Sequence, residues 1–184
     1  MRVAWFIGKF ELLLNYTKYP IYSPKSRTPQ EPQNVNCKWL KKPNMTIYPE
    51  VSQKEKIGDY PALVNSGGGF VWDEVLEYRV WCHPENGAPD IENGNDYYYV
   101  FDNYDDALRY SEQNDGTEKP LALILQKEYI DEPEPEIYRH VKEERITEWP
   151  VEFLNRPKRN DNTIPNFLSP NAPINRLSIL KGIE

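Results

Sequence analysis

Three groups of residues in this chain have the types that chemistry needs. Cys82 and His83 stand side by side, with His140 further on. A thiol beside an imidazole can ionise to a reactive thiolate, and Cys with His can hold zinc. Successive strand residues face opposite ways, however, so the adjacent pair does not converge on one ion. No fourth ligand follows at a zinc spacing, and a buried cysteine beside a loop histidine is the expectation. The second group is Arg79, Trp81, Arg139, His140, Glu143, Glu144, Arg145 and Glu148. If the strand carrying Arg79 lies beside the later one, Arg79 and a late glutamate share one cleft. Such a cleft suits a nucleotide cofactor, with arginine pairing a phosphate bidentately and glutamate accepting from a ribose hydroxyl. Ion pairs along an acidic sheet edge are the competing expectation, each worth about 0–1 kcal/mol.

The third group is the acidic run 102–106, DNYDD. It lacks the glycine and terminal glutamate of a calcium loop, and helix capping explains it better. The run Ser66-Gly67-Gly68-Gly69 has neither a Gly-Lys-Ser/Thr ending nor spaced glycines between strand and helix, so it reads as a joint.

These groups need elements to position them. Residues 97–113, YYYVFDNYDDALRYSEQ, give an aromatic and β-branched strand, a polar turn and a helix. Asn103 is placed to cap that helix, with Asp105 and Asp106 in its first turn. Residues 75–82 alternate, with Leu76, Tyr78, Val80 and Cys82 on one face and Glu77, Arg79 and Trp81 on the other. The turn-rich 83–96 makes these two strands a long-looped hairpin. Residues 121–125 are uniformly apolar, as suits a strand buried on both faces. An acidic, proline-broken loop is expected over 131–136, then strands over 137–141 and near 146–154, where Pro150 excludes an interior position. The run 156–169 reads as polar tail. A last helix is expected over 171–182, with Asn171 as cap and Ile174, Leu177 and Leu180 on one face.

Composition narrows the class. Hydrophobic residues make up 39% of 184 and there are 17 prolines, which together imply much irregular backbone. Two cysteines make no disulfide framework, so a reducing cytoplasm is expected. The apolar run 3–14 is broken by Lys9 and Glu11 and is shorter than the ~20 residues that span a bilayer, so no membrane partner is expected. Residues 1–66 carry 10 Lys and Arg against 5 Asp and Glu; residues 67–184 carry 12 against 24. A domain that acidic repels phosphate backbones, which argues against nucleic acid. Residues 20–66 hold seven prolines without lasting periodicity, giving a basic, proline-rich arm over 1–66. The fold expected over 67–184 is α+β: a small mixed, mostly antiparallel sheet with one or two short helices and long loops.

The segments GNDYYYVFDNYDDALRYSE, PLALILQKEYIDEPEP, YRHVKEERITEWPVEFLNRPKR and TIPNFLSPNAP resemble a small bacterial family of uncharacterised proteins sometimes labelled GNAT-type acetyltransferases. The resemblance covers about residues 69–182 and implies acetyl-CoA as cofactor. The Gln/Arg-x-x-Gly-x-Gly/Ala loop by which those enzymes cradle pyrophosphate is missing, so no catalytic residue carries over. The order of elements is also similar to ADP-ribosyltransferase-like domains, which organise NAD. On that resemblance Arg79 or His83, Tyr98 or Tyr99, and Glu144 or Glu148 fill the site, although no Ser-Thr-Ser or Glu-x-Glu pattern marks it. Two expectations follow. One is a group transferase with Arg79, Glu144 and Glu148 as catalytic residues and His83, Tyr98 and Tyr99 holding acetyl-CoA or NAD. The other is a non-catalytic module that binds a protein partner.

Overall fold

The computed structural model describes residues 48–62 and 68–183. Among these residues the fold is α+β: six strands in two antiparallel sheets, three short helices and long connections. The main sheet has the order β2-β1-β3-β6, built from β1 (Glu74–Cys82), β2 (Tyr97–Phe101), β3 (Leu121–Gln126) and β6 (Arg145–Pro150). β4 (Tyr129–Glu134) and β5 (Ile137–Val141) form the second, two-stranded sheet.

The aromatic strand and its capped helix are where the residues put them. β2 pairs with β1 as a hairpin, Cys82 opposite Tyr97 and Tyr78 opposite Phe101. α1 (Tyr104–Gln113) begins at Asn103, whose side-chain oxygen accepts from the Asp106 amide at 2.9 Å. β3 lies between β1 and β6, and Ala122, Leu123 and Ile124 have no exposed surface. Pro150 closes β6 on the sheet's edge, where its missing N–H disturbs no ladder.

Three stretches depart from expectation. Asp131–Glu134 is not loop but the second half of β4; Pro133 is accommodated there because the ladder shifts register between Asp131 and Glu134. Within 156–169, expected as tail, lies α2 (Thr163–Leu168), which buries Ile164 and Phe167. α3 (Arg176–Lys181) starts later than its signals suggest, so Ile174 stands outside it, fully exposed, while Leu177 and Leu180 pack inward. Asn175 precedes its first residue and forms no side-chain cap.

One face of the main sheet packs against α1 and the 3-10 turn Val151–Asn155, with Tyr78, Val80, Ile124, Phe153 and Leu154 at its centre. Val71, Ile130, Ile164, Phe167 and Leu180 form a second core under α2 and α3. Residues 48–62 lie against the main sheet: Val51 is buried and the Ser52 amide donates to Val75 at 2.9 Å. The arm's remaining residues, 1–47, and its expected end at 66 lie outside the described residues. Gly68 and Gly69 pack rather than hang free, since Gln126 Nε2 donates to the Gly68 carbonyl at 3.0 Å. Among the described residues no helix is long and apolar enough to cross a membrane.

Candidate functional site

Alternation along β1 sends Glu77, Arg79 and Trp81 to the face opposite α1, and pairing decides what meets them. Trp81 lies opposite Tyr98, Glu77 opposite Leu123, and Leu123 in turn opposite Glu148. Glu77 and Glu148 therefore flank β3 on one face, about 10 Å apart at their backbones for strands ~4.8 Å apart. That gap is bridged by long side chains converging on Arg79. Its Nε donates to Glu77 Oε1 at 2.7 Å and its Nη1 to Glu148 Oε1 at 3.3 Å. Nη2 donates to the Pro61 carbonyl at 2.9 Å and more weakly to Tyr60 at 3.4 Å. Trp81 Nε1 donates to both Glu148 oxygens at 3.3 Å, and the Gly58 amide donates to Glu77 Oε2 at 2.7 Å. The guanidinium lies 4.5 Å over the Tyr98 ring, and burial raises the pKa of the Tyr98 phenol.

This arrangement brings Arg79 and Glu148 together across the intervening β3, with Tyr98 beside them, but leaves no open cleft. The side chains of Arg79, Glu77 and Glu148 have no exposed surface. Residues 57–62 cover them, with Ile57 and Ala62 packed on Trp81, Tyr98 and Val100. The other candidates lie elsewhere. Glu144 is exposed beyond β5, beside an open hollow of about 440 Å³ that it lines with Pro61, Leu125, Arg145 and Ile146. Tyr99 points to the opposite face, against Tyr97 and Tyr110. His140 meets Glu128, and Arg139 meets Asp131 at 2.6 Å.

Cys82 is buried, and burial pushes its thiol up to about 11, away from a reactive thiolate. Among the described residues no three His, Cys, Asp or Glu side chains are grouped to hold a metal. Asp106 serves α1, paired with Arg109 at 2.7 Å. Glu77 is the member that the site reading omits, although Glu-x-Arg-x-Trp alternation already places it beside Arg79. The carbonyls of Tyr60 and Pro61 and the amide of Gly58 give no sequence signal, because backbone groups are shared by every residue type.

His83 sits at the end of β1 with Nδ1 3.0 Å from Asp96 and Nε2 3.0 Å from Glu118. The imidazole thus stands between two carboxylates, one at each ring nitrogen. Burial works against the imidazolium, yet Asp96 and Glu118 outweigh it and hold the pKa above 6.5. A folded-state pKa above the unfolded one stabilises fully below the unfolded value and is lost as pH rises through the folded value. The stability advantage of wild type over His83→Gln should therefore be full at acid pH and shrink over the range above the unfolded-state value of about 6.5. Thermal denaturation of the two proteins across that range checks it, and an advantage that stays constant with pH would refute it.

No protein-family model, curated protein or solved structure matches this chain.

Proposed function

We propose that this protein is a non-catalytic protein-binding module. The observation that carries the reading is the closure of the Arg79 cluster. A nucleotide phosphate needs the guanidinium, and a ribose hydroxyl needs the glutamate, but both side chains are fully buried and hydrogen-bonded to protein groups. Displacing those partners would expose a buried ion pair at a cost of several kcal/mol. The surface instead presents large aliphatic side chains near the C-terminus: Ile174, Ile179 and Ile183 are all exposed. These three are neighbours in the sequence, and contiguous exposed apolar groups mark docking surfaces. A cytoplasmic location accompanies this reading, on the free, buried thiol of Cys82.

Thermal unfolding with NAD and with acetyl-CoA at about 1 mM tests the proposal. The midpoint should not move with either ligand. A ligand at 100 times its Kd would add about 2.7 kcal/mol, a rise of roughly 5–10 °C for a chain of this size. Such a rise would overturn the module reading in favour of the group transferase.

A further inference from the structure

We infer that His83 is a proton-operated clasp at one end of the main sheet, joining three chain segments below neutral pH and letting them part above it. Its imidazole lies where the end of β1, the residue before β2 and the approach to β3 meet. Nδ1 is 3.0 Å from Asp96 Oδ1, and Nε2 is 3.0 Å from Glu118 Oε1. Backbone groups stitch the same junction. The His83 amide donates to the Gly116 carbonyl at 2.8 Å, and the Glu118 amide donates to the Trp81 carbonyl at 2.9 Å. Next to the junction Cys82, Ala88 and Tyr97 form a small buried cluster, and the Tyr97 hydroxyl donates to the Pro89 carbonyl at 2.9 Å. Of the connection 83–96, Ala88 alone is buried, so its own packing holds it weakly.

The geometry asks for a proton on each ring nitrogen. An imidazolium presents an N–H to both carboxylates. A neutral imidazole has one N–H and one lone pair, so it serves one carboxylate and turns the lone pair on the other. Loss of the proton therefore replaces one attraction at 3.0 Å by a repulsion. The carboxylate so released has water to turn to, since the Asp96 and Glu118 side chains are 47% and 50% exposed. The other groups around the junction keep their charge through this range. Burial holds the Cys82 thiol and the Tyr97 phenol neutral, at about 11 and about 12. Glu85 and Asp115 are negative and favour the imidazolium, and Lys119 is exposed to solvent. Burial lowers the pKa of His83 and the two carboxylates raise it by more, which sets the change near neutral pH.

Hydrogen exchange of the full chain, resolved by residue and corrected for intrinsic rates, tests the clasp at about pH 5.5 and about pH 8.5. The reporters are the His83 and Glu118 amides. At the lower pH their protection should lie at least about tenfold below that of the β1 and β3 core amides, because the junction opens locally. At the higher pH it should fall by at least about a further threefold. The fall should vanish in His83→Gln, and also in the double variant Asp96→Asn, Glu118→Gln, which keeps the imidazole. Wild-type protection that is the same at both pH values would overturn the clasp. So would a fall that persists in either variant. Reporter amides as well protected as the core would overturn it too, since the junction would then open only when the whole chain unfolds.

Discussion

Arg79→Met is expected to destabilise the protein by about 3–5 kcal/mol, because it leaves the Glu77 and Glu148 carboxylates buried without their shared cation. Methionine keeps the apolar stem but is shorter than arginine, so the loss combines the missing cation with the volume of the guanidinium. The Gly58 amide donates to Glu77 and the Trp81 indole N–H to Glu148, so both carboxyl groups have further partners inside the cluster. A buried ion cluster is costly to break yet not always favourable against apolar groups of the same volume. The triple change Glu77→Leu, Arg79→Met, Glu148→Leu should therefore recover much of what Arg79→Met alone loses. Urea unfolding midpoints for the single and triple variants check both statements. A loss under ~1 kcal/mol in Arg79→Met would mean the guanidinium reaches solvent, and the cluster would have to be regarded again as an open site.

The second large effect is expected at Gly116, which joins α1 to the approach to β3. A Cβ there would lie 2.1 Å from the Ala88 nitrogen and 2.8 Å from the Gly87 carbonyl carbon, with φ at +69°. The obstacle is backbone, so no rotamer relieves it. The same contact aligns the 83–96 connection, because the Gly116 carbonyl accepts from the His83 amide at 2.8 Å. Gly94 supplies the comparison: its φ is +82°, yet nothing lies within 4 Å of an added Cβ. Gly94→Ala should cost about 1–2 kcal/mol, the usual penalty of a left-handed backbone for an L-residue. Gly116→Ala should cost at least twice that, through the added clash. Equal losses in the two variants, measured by thermal unfolding, would show that the 87–88 and 116 backbones can separate freely.

Local signals made the centre of the fold legible. The alternation of β1, the aromatic β2, the Asn103 cap and the apolar β3 each depend on residues close together in the chain, where side-chain period and capping chemistry act directly. The same alternation put Arg79 on one face with Trp81 and Glu77, and the late strand's register then delivered Glu148. What the alternation cannot convey is whether that face is open. The cover comes from residues 57–62 through Tyr60 and Pro61 carbonyls, and a carbonyl's destination is fixed by tertiary packing rather than by residue type. α2 was obscured for a related reason. Pro165 and the polar residues around it give a weak helical pattern, and burial of Ile164 and Phe167 against the second core holds the helix in place. Glu144 illustrates the reverse case: a carboxylate only four residues from Glu148 in the chain, it lies in an exposed connection beyond the edge strand.

The most direct test is hydrogen exchange at the Gly58 amide, which donates to Glu77 Oε2 at 2.7 Å inside the covered cluster. A closed clasp holding 57–62 on the sheet gives slow exchange, close to that of the β1 and β3 core amides, unchanged by NAD or acetyl-CoA. Exchange near the rate of an unstructured chain, slowed when either cofactor is added, would contradict the closed cluster and with it the reading of this protein as a non-catalytic module.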